Sequence, residues 1–232
     1  MTHRTTARVV GSLFILGSIA GLVGAALEQP IIDASDYLTK VSLNENRLAT
    51  GVLLELVMGL ALVGVAVAIY PILKRFSERL AVGYVAARAV ESVIYVLSAV
   101  GLLTLLTVGH DYVSASGADA GQLQRFGDLL LAQRDWAGSG VQDAAVFTVS
   151  ALILNYLLYR ARLVPRWLSL WGLIGAAMYL AAGVMVIYGL EPFSTTQVVM
   201  DVPLGVQEMA LALWLIIKGF NPAAFASEAV AG

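Results

Sequence analysis

The run Leu80–Val108, LAVGYVAARAVESVIYVLSAVGLLTLLTV, decides the fold class. It holds only two charged side chains, Arg88 and Glu91, and no proline. As a helix rising 1.5 Å per residue it would extend about 43 Å, more than the ~30 Å hydrocarbon core of a bilayer. Five further runs have the same character: Val9–Leu27, Leu48–Leu73, Gly138–Tyr159, Trp167–Leu190 and Thr196–Ile217. The last is interrupted by Asp201, Pro203, Gln207 and Glu208, so a five-span reading with a peripheral last helix is the alternative. The expected fold is an all-α polytopic membrane bundle of six transmembrane helices, forming a single integral-membrane domain over residues 1–232.

Composition agrees. Of 232 residues, 59% are hydrophobic and 13% charged, against about 25% charged in soluble domains. Mean hydropathy is +0.82. A net charge of −2 offers no basic footprint for nucleic acid. The absence of cysteine removes disulfides, thiol nucleophiles and thiolate metal sites. The two histidines, His3 and His110, sit at segment ends, so no metal centre and no cofactor is expected inside the membrane. The same shortage excludes a rhomboid-type serine–histidine mechanism and the histidine-bound zinc of ceramidase-like and adiponectin-receptor-like hydrolases. No Walker, GxSxG or HExxH motif is present.

The first run resembles a signal peptide, with Arg4 and Arg8 before it and small residues at Gly24–Ala26. It is longer than the usual apolar region of such peptides, and we read it as a retained helix. Basic residues set the orientation. With the amino terminus inside, Arg4, Arg8, Lys74, Arg75, Arg79, Arg160, Arg162, Arg166 and Lys218 face the cytoplasm, and Lys40, Arg47, Arg125 and Arg134 face outward. Both termini are therefore expected to be cytoplasmic. The outward loop Asp111–Ala137 should carry an extra amphipathic helix, with Leu123, Phe126, Leu130 and Ala137 near one face. It reads either as a surface helix on the headgroups or as a lid over a cavity. Gly17 with Gly21, and Gly172 with Ala176, have the spacing of close helix packing in lipid. No internal repeat is found.

The informative residues are ionisable groups within the spans, which usually face a bundle interior or a wet cavity. Tyr84, Arg88, Glu91, Tyr95 and Ser98 follow 4, 3, 4, 3 spacing and share one helix face. Arg88 and Glu91 can neutralise each other as i, i+3 neighbours, a purely structural role. Glu55, Asp143 and Glu208 lie on three other spans at overlapping depths, with Gln142, Asn155 and Gln207 as uncharged companions and Asp201 nearer the surface. One arginine cannot pair with four carboxylates, so some acids are expected to be protonated, to bind a cation or to contact water. Glu55, Arg88, Glu91, Tyr95, Asp143, Gln207 and Glu208 form the expected polar cavity. Glu55 has Gly51 and Gly59 four positions to either side, which leaves room for a neighbouring helix or a ligand. Pro203 should bend the last span beside Asp201 and Glu208.

The stretch Leu163–Gly175, LVPRWLSLWGLIG, and the stretch Gln207–Asn221, QEMALALWLIIKGFN, resemble the bacterial integral-membrane family known as domain of unknown function 4386. Arg8-Val9-Val10-Gly11 and Ala87-Arg88-Ala89-Val90-Glu91 add to the likeness, which covers nearly the whole chain. The resemblance implies a bacterial inner-membrane protein of one domain, and brings no activity or catalytic residue with it. Three function classes follow from the residues. The first is binding or transport of a small or amphipathic ligand in an outward-facing cavity. The second is acid catalysis on a lipophilic substrate, by architectural analogy with membrane terpene cyclases. The third is a structural or accessory subunit. Membrane lipid is the one partner every class requires.

Overall fold

A chain this apolar must place its surface against lipid, and the computed structural model, which describes residues 2–226, does so with six helices long and apolar enough to span a membrane. Residue 1 and residues 227–232, at the edges of the expected domain, lie outside the described residues. The helices are α1 (His3–Ile32), α2 (Tyr37–Leu43), α3 (Glu45–Leu73), α4 (Glu78–Ser114), α5 (Ala118–Asp135), a π-helical stretch (Trp136–Val146), α6 (Phe147–Arg160), α7 (Arg166–Ile187), α8 (Thr195–Ile217) and the short α9 (Ala223–Ala226). The fourth span is the continuous helix Ala118–Arg160, made of α5, the π stretch and α6. There is no strand among the described residues. The protein is a multi-pass membrane protein, and the last span forms over its full length, through Pro203.

The spans close a ring: α1 packs on α3, α3 on α4, α4 on α6, α6 on α7, α7 on α8, and α8 back on α1. Glycine permits two of the closest approaches. A Cβ on Gly11 would stand 2.5 Å from the carbonyl oxygen of Ala212, and one on Gly175 would stand 3.0 Å from the Leu204 backbone. Side chains such as Leu22 (74% exposed) and Leu60 (70%) face outward around the ring. In water such a surface would be an aggregation liability; in a bilayer it is the lipid contact.

The His3 and Phe225 rings stack at 4.0 Å, so the start of α1 and the short α9 sit at one end of the bundle, the terminal end. At the distal end the helices outrun the expected spans. α1 continues through Pro30, which has no N–H for the carbonyl of Ala26. Arg47 Nη2 donates to that carbonyl at 3.3 Å instead. The extension lets Ile31 and Ile32 join Tyr37, Leu38, Val41, Leu102, Leu105 and Val108 in a second apolar core. The expected loop helix forms as α5 and runs into the fourth span without a break. It packs through Leu123, Leu130 and Leu131. Phe126, expected on that face, is exposed, because the contact centres on Gly127, where a Cβ would stand 2.5 Å from the Tyr37 hydroxyl.

Candidate functional site

The charged side chains inside the ring occupy two levels. The first is centred on Arg88, ten residues into α4 and so about 15 Å from its start. Its guanidinium is fully buried. Nη1 donates to Glu91 Oε1 and Oε2 at 3.1 and 3.0 Å, Nη2 to Glu208 Oε1 at 3.1 Å, and Nε to the Tyr84 hydroxyl at 3.3 Å. The Phe14 and Phe147 rings lie 5.9 and 5.2 Å from the guanidinium carbon. A planar fork with five donors suits this double carboxylate, where an ammonium would not. The cluster ties α4 to α8, with Arg88 and Glu91 fully buried and Glu208 13% exposed.

The second level lies toward the distal end, where a pocket of about 200 Å³ opens between α3, α4, the end of α5, the π stretch, α7 and α8. Glu55, Asp143 and Asp201 supply three carboxyls to its wall, and Arg134 one guanidinium. Gln142, Gln197, Ser98, Tyr95 and Tyr179 add polar groups; Ile94, Gly138 and Phe193 complete it. The π stretch makes this wall. Its wider turn, with the Phe147 N–H donating to Gln142 O, carries Ser139, Gln142 and Asp143 inward. Thr148 Oγ1 takes up the Asp143 carbonyl at 2.6 Å. Gln197 is fixed by Ser139 Oγ at 2.8 Å and the Phe193 N–H at 2.7 Å, both donating to its Oε1, and in turn donates to Asp143 Oδ2 at 2.7 Å. By contrast Glu55 Oε2, Asp201 Oδ1 and Gln142 Oε1 are buried atoms without a hydrogen-bond partner.

The levels are joined through Tyr95. Gln142 Nε2 donates to its hydroxyl at 2.7 Å, and the hydroxyl donates to Glu91 Oε1 at 3.4 Å. A hydrogen-bonded path thus leads from the pocket wall to Arg88 and Glu208.

At the terminal end, the two stretches singled out in the sequence meet. The Asn221 N–H donates to Leu163 O at 2.8 Å, and Asn221 Nδ2 to Arg162 O at 3.1 Å. The family model for a domain of unknown function, DUF4386, matches residues 9–219. The chain belongs to the DUF4386 family. No curated protein and no solved structure matches it.

In this DUF4386 chain the seven residues expected in one cavity are divided. Glu55, Tyr95 and Asp143 line the pocket. Arg88, Glu91 and Glu208 form the ion cluster. Gln207 Nε2 is taken up by Asn155 Oδ1 at 3.1 Å and Leu168 O at 3.2 Å. Asn155 itself fits against α7 because position 172 is glycine. The glycines beside Glu55 admit neighbouring helices: a Cβ on Gly51 would stand 2.5 Å from Glu28 Cγ, and one on Gly59 3.2 Å from Ser92 Oγ. Sequence reading missed the pair of Glu28 with Arg134, at 3.2 Å. Glu28 is 2% exposed, although it falls just past the expected end of the first span. The bare flank at Gly51 was the signal that could have found it.

Proposed function

We propose that this DUF4386 protein binds or transports a small ligand in the distal pocket, from the outer side of a bacterial inner membrane. The observation that carries the reading is a pocket walled by three carboxyls, two of them with an oxygen left unpaired. A buried acceptor without a partner costs free energy that a stabilising contact would not. A site that exchanges water for ligand donors accounts for keeping them. The cytoplasmic placement of both termini rests on nine of the fourteen basic residues lying in short segments at the terminal end. Acid catalysis by Glu91 or Glu208 gains no support, since both carboxylates are held on Arg88. The Arg88 cluster is better read as the structural tie beneath the pocket.

Thiol labelling tests the reading, because the chain has no cysteine of its own. Gly138 lines the pocket, and a Cβ there meets only Phe193, at 3.8 Å. Gly138→Cys should react in intact cells with a charged, impermeant methanethiosulfonate. Ser150→Cys, fully buried, should not. Equal inertness of the two would mean that the pocket is closed to outside water, and the proposal would fall.

A further inference from the structure

We infer that the ligand of the distal pocket is a small organic cation with several N–H donors, an ammonium or guanidinium compound. The inference rests on the ligand-binding reading above and names the class of ligand. Its first ground is the sign of the unmet hydrogen bonds. Three acceptors in the wall lack partners: Glu55 Oε2, Asp201 Oδ1 and Gln142 Oε1. Gln142 is 8% exposed, and its Nε2 is committed to Tyr95, so its carbonyl oxygen is free to accept from a ligand. Among the buried atoms of the wall, Arg134 Nε is the one donor without a partner.

The second ground is charge. Arg134 is the only basic residue of the wall, and its terminal nitrogens face Glu28 at 3.2 Å and Asp135 at 3.7 Å. Arg134 is thus shared among Glu28, Asp135 and Glu55, and Asp143 and Asp201 have no cation of their own in the pocket. A carboxylate in a low-dielectric site is costly without a counter-charge. A ligand cation would supply it.

The third ground is spacing. Among the described residues no three of the histidine, aspartate and glutamate side chains gather closely enough to hold a metal ion. The acceptors are distributed around a space of about 200 Å³, below the range of about 300–1,000 Å³ usual for drug-sized ligands. Acceptors spread in this way match a polyatomic cation whose donors point in different directions. Tyr95, Tyr179 and Phe193 offer aromatic surface to its carbon chain or its charge.

Calorimetric titration of the detergent-solubilised full chain tests this with three probes of similar length: putrescine, its neutral counterpart tetramethylene glycol, and succinate. Putrescine should bind at least about tenfold more tightly than the glycol, since charge-assisted hydrogen bonds are the stronger kind, and succinate should not bind. Glu55→Gln and Asp201→Asn should each weaken putrescine by at least about tenfold. Neither removes a hydrogen bond of its unpaired oxygen, so both should melt near the wild type. If the glycol or succinate binds as well as putrescine and binding depends on Glu55, the cation assignment is overturned and the pocket reading survives. If none of the three binds at millimolar concentration, both are overturned. Putrescine binding that is unchanged in the Glu55→Gln, Asp201→Asn double variant lies elsewhere and overturns the assignment.

Discussion

Arg88 and Glu208 are 120 positions apart, and Arg88 Nη2 meets Glu208 Oε1 at 3.1 Å inside the ring. Because Glu91 takes the other terminal nitrogen, the guanidinium is shared by a neighbour on its own helix and a partner on α8. In lipid, helices gain little from burying apolar surface against one another, so packing and polar ties choose the arrangement. This tie fixes the depth of α8 relative to α4. Asp201, two turns from Glu208 on α8, is thereby held at the pocket.

Removing the arginine should be costly. Arg88→Met leaves Glu91 and Glu208 facing each other without a counter-charge, and should destabilise the protein by about 3–5 kcal/mol. Adding Glu91→Gln and Glu208→Gln to it should recover most of the loss, because the cost lies in the stranded charges. Thermal unfolding in detergent measures both. A triple variant no more stable than Arg88→Met would show that packing around the guanidinium, and not charge, is what was lost.

Gly172 and Asn155 give a second, independent test. The Asn155 amide occupies the space a Cβ at position 172 would take, and it bridges to Gln207. Gly172→Ala must push the amide away or separate α6 from α7. A loss of about 1–3 kcal/mol is expected. Asn155→Ala combined with Gly172→Ala should lose less than the two single changes added together, since the collision has been removed. Additive losses would place the strain elsewhere.

The spans were legible because their signal is a sum over some twenty residues, and Arg88 with Glu91 because helical spacing alone puts them side by side. A cross-helix partner for Arg88 was legible only as a choice among acids. Which one reaches it depends on the rotation and depth of each helix, and hydropathy barely constrains either. For the same reason Glu55 and Asp143 read at the same level as Glu208, while the structure separates them into pocket and ion cluster. The π stretch left no composition signal beyond Gly138-Ser139-Gly140, yet its widened turn brings Gln142 and Asp143 into the wall. Glu28 escaped notice because α1 continues through Pro30, where sequence rules favour a stop.

The orientation proposed from the basic residues has a direct readout. Glu78 and Ser116 flank opposite ends of α4, and both positions are exposed. Glu78→Cys should be protected from impermeant thiol reagents in intact cells, and Ser116→Cys should be modified. The reverse pattern would invert the topology and turn the pocket toward the cytoplasm.

The distal layer should respond to alkaline pH through Tyr37. Its side chain is buried beside α5, and its hydroxyl donates to Asp128 Oδ1 at 2.6 Å and to Gln124 O at 3.2 Å. Burial, and then the hydrogen bond and negative charge of Asp128, push the phenol well above its ordinary value. The folded state therefore holds the proton more tightly than the unfolded chain, whose tyrosine titrates near about 10. Below that pH both states carry the proton, and the stabilisation is complete. Above it the unfolded chain ionises first, binds fewer protons and gains relative to the folded one, so stability falls as pH rises. Tyr37→Phe removes the hydrogen bond and the titration together. At neutral pH it should cost about 1 kcal/mol. In strongly alkaline solution the difference in melting temperature between wild type and Tyr37→Phe should shrink. A difference that stays constant from neutral to alkaline pH would mean that the hydroxyl titrates alike in both states, and that its bond to Asp128 does not hold α2 against α5.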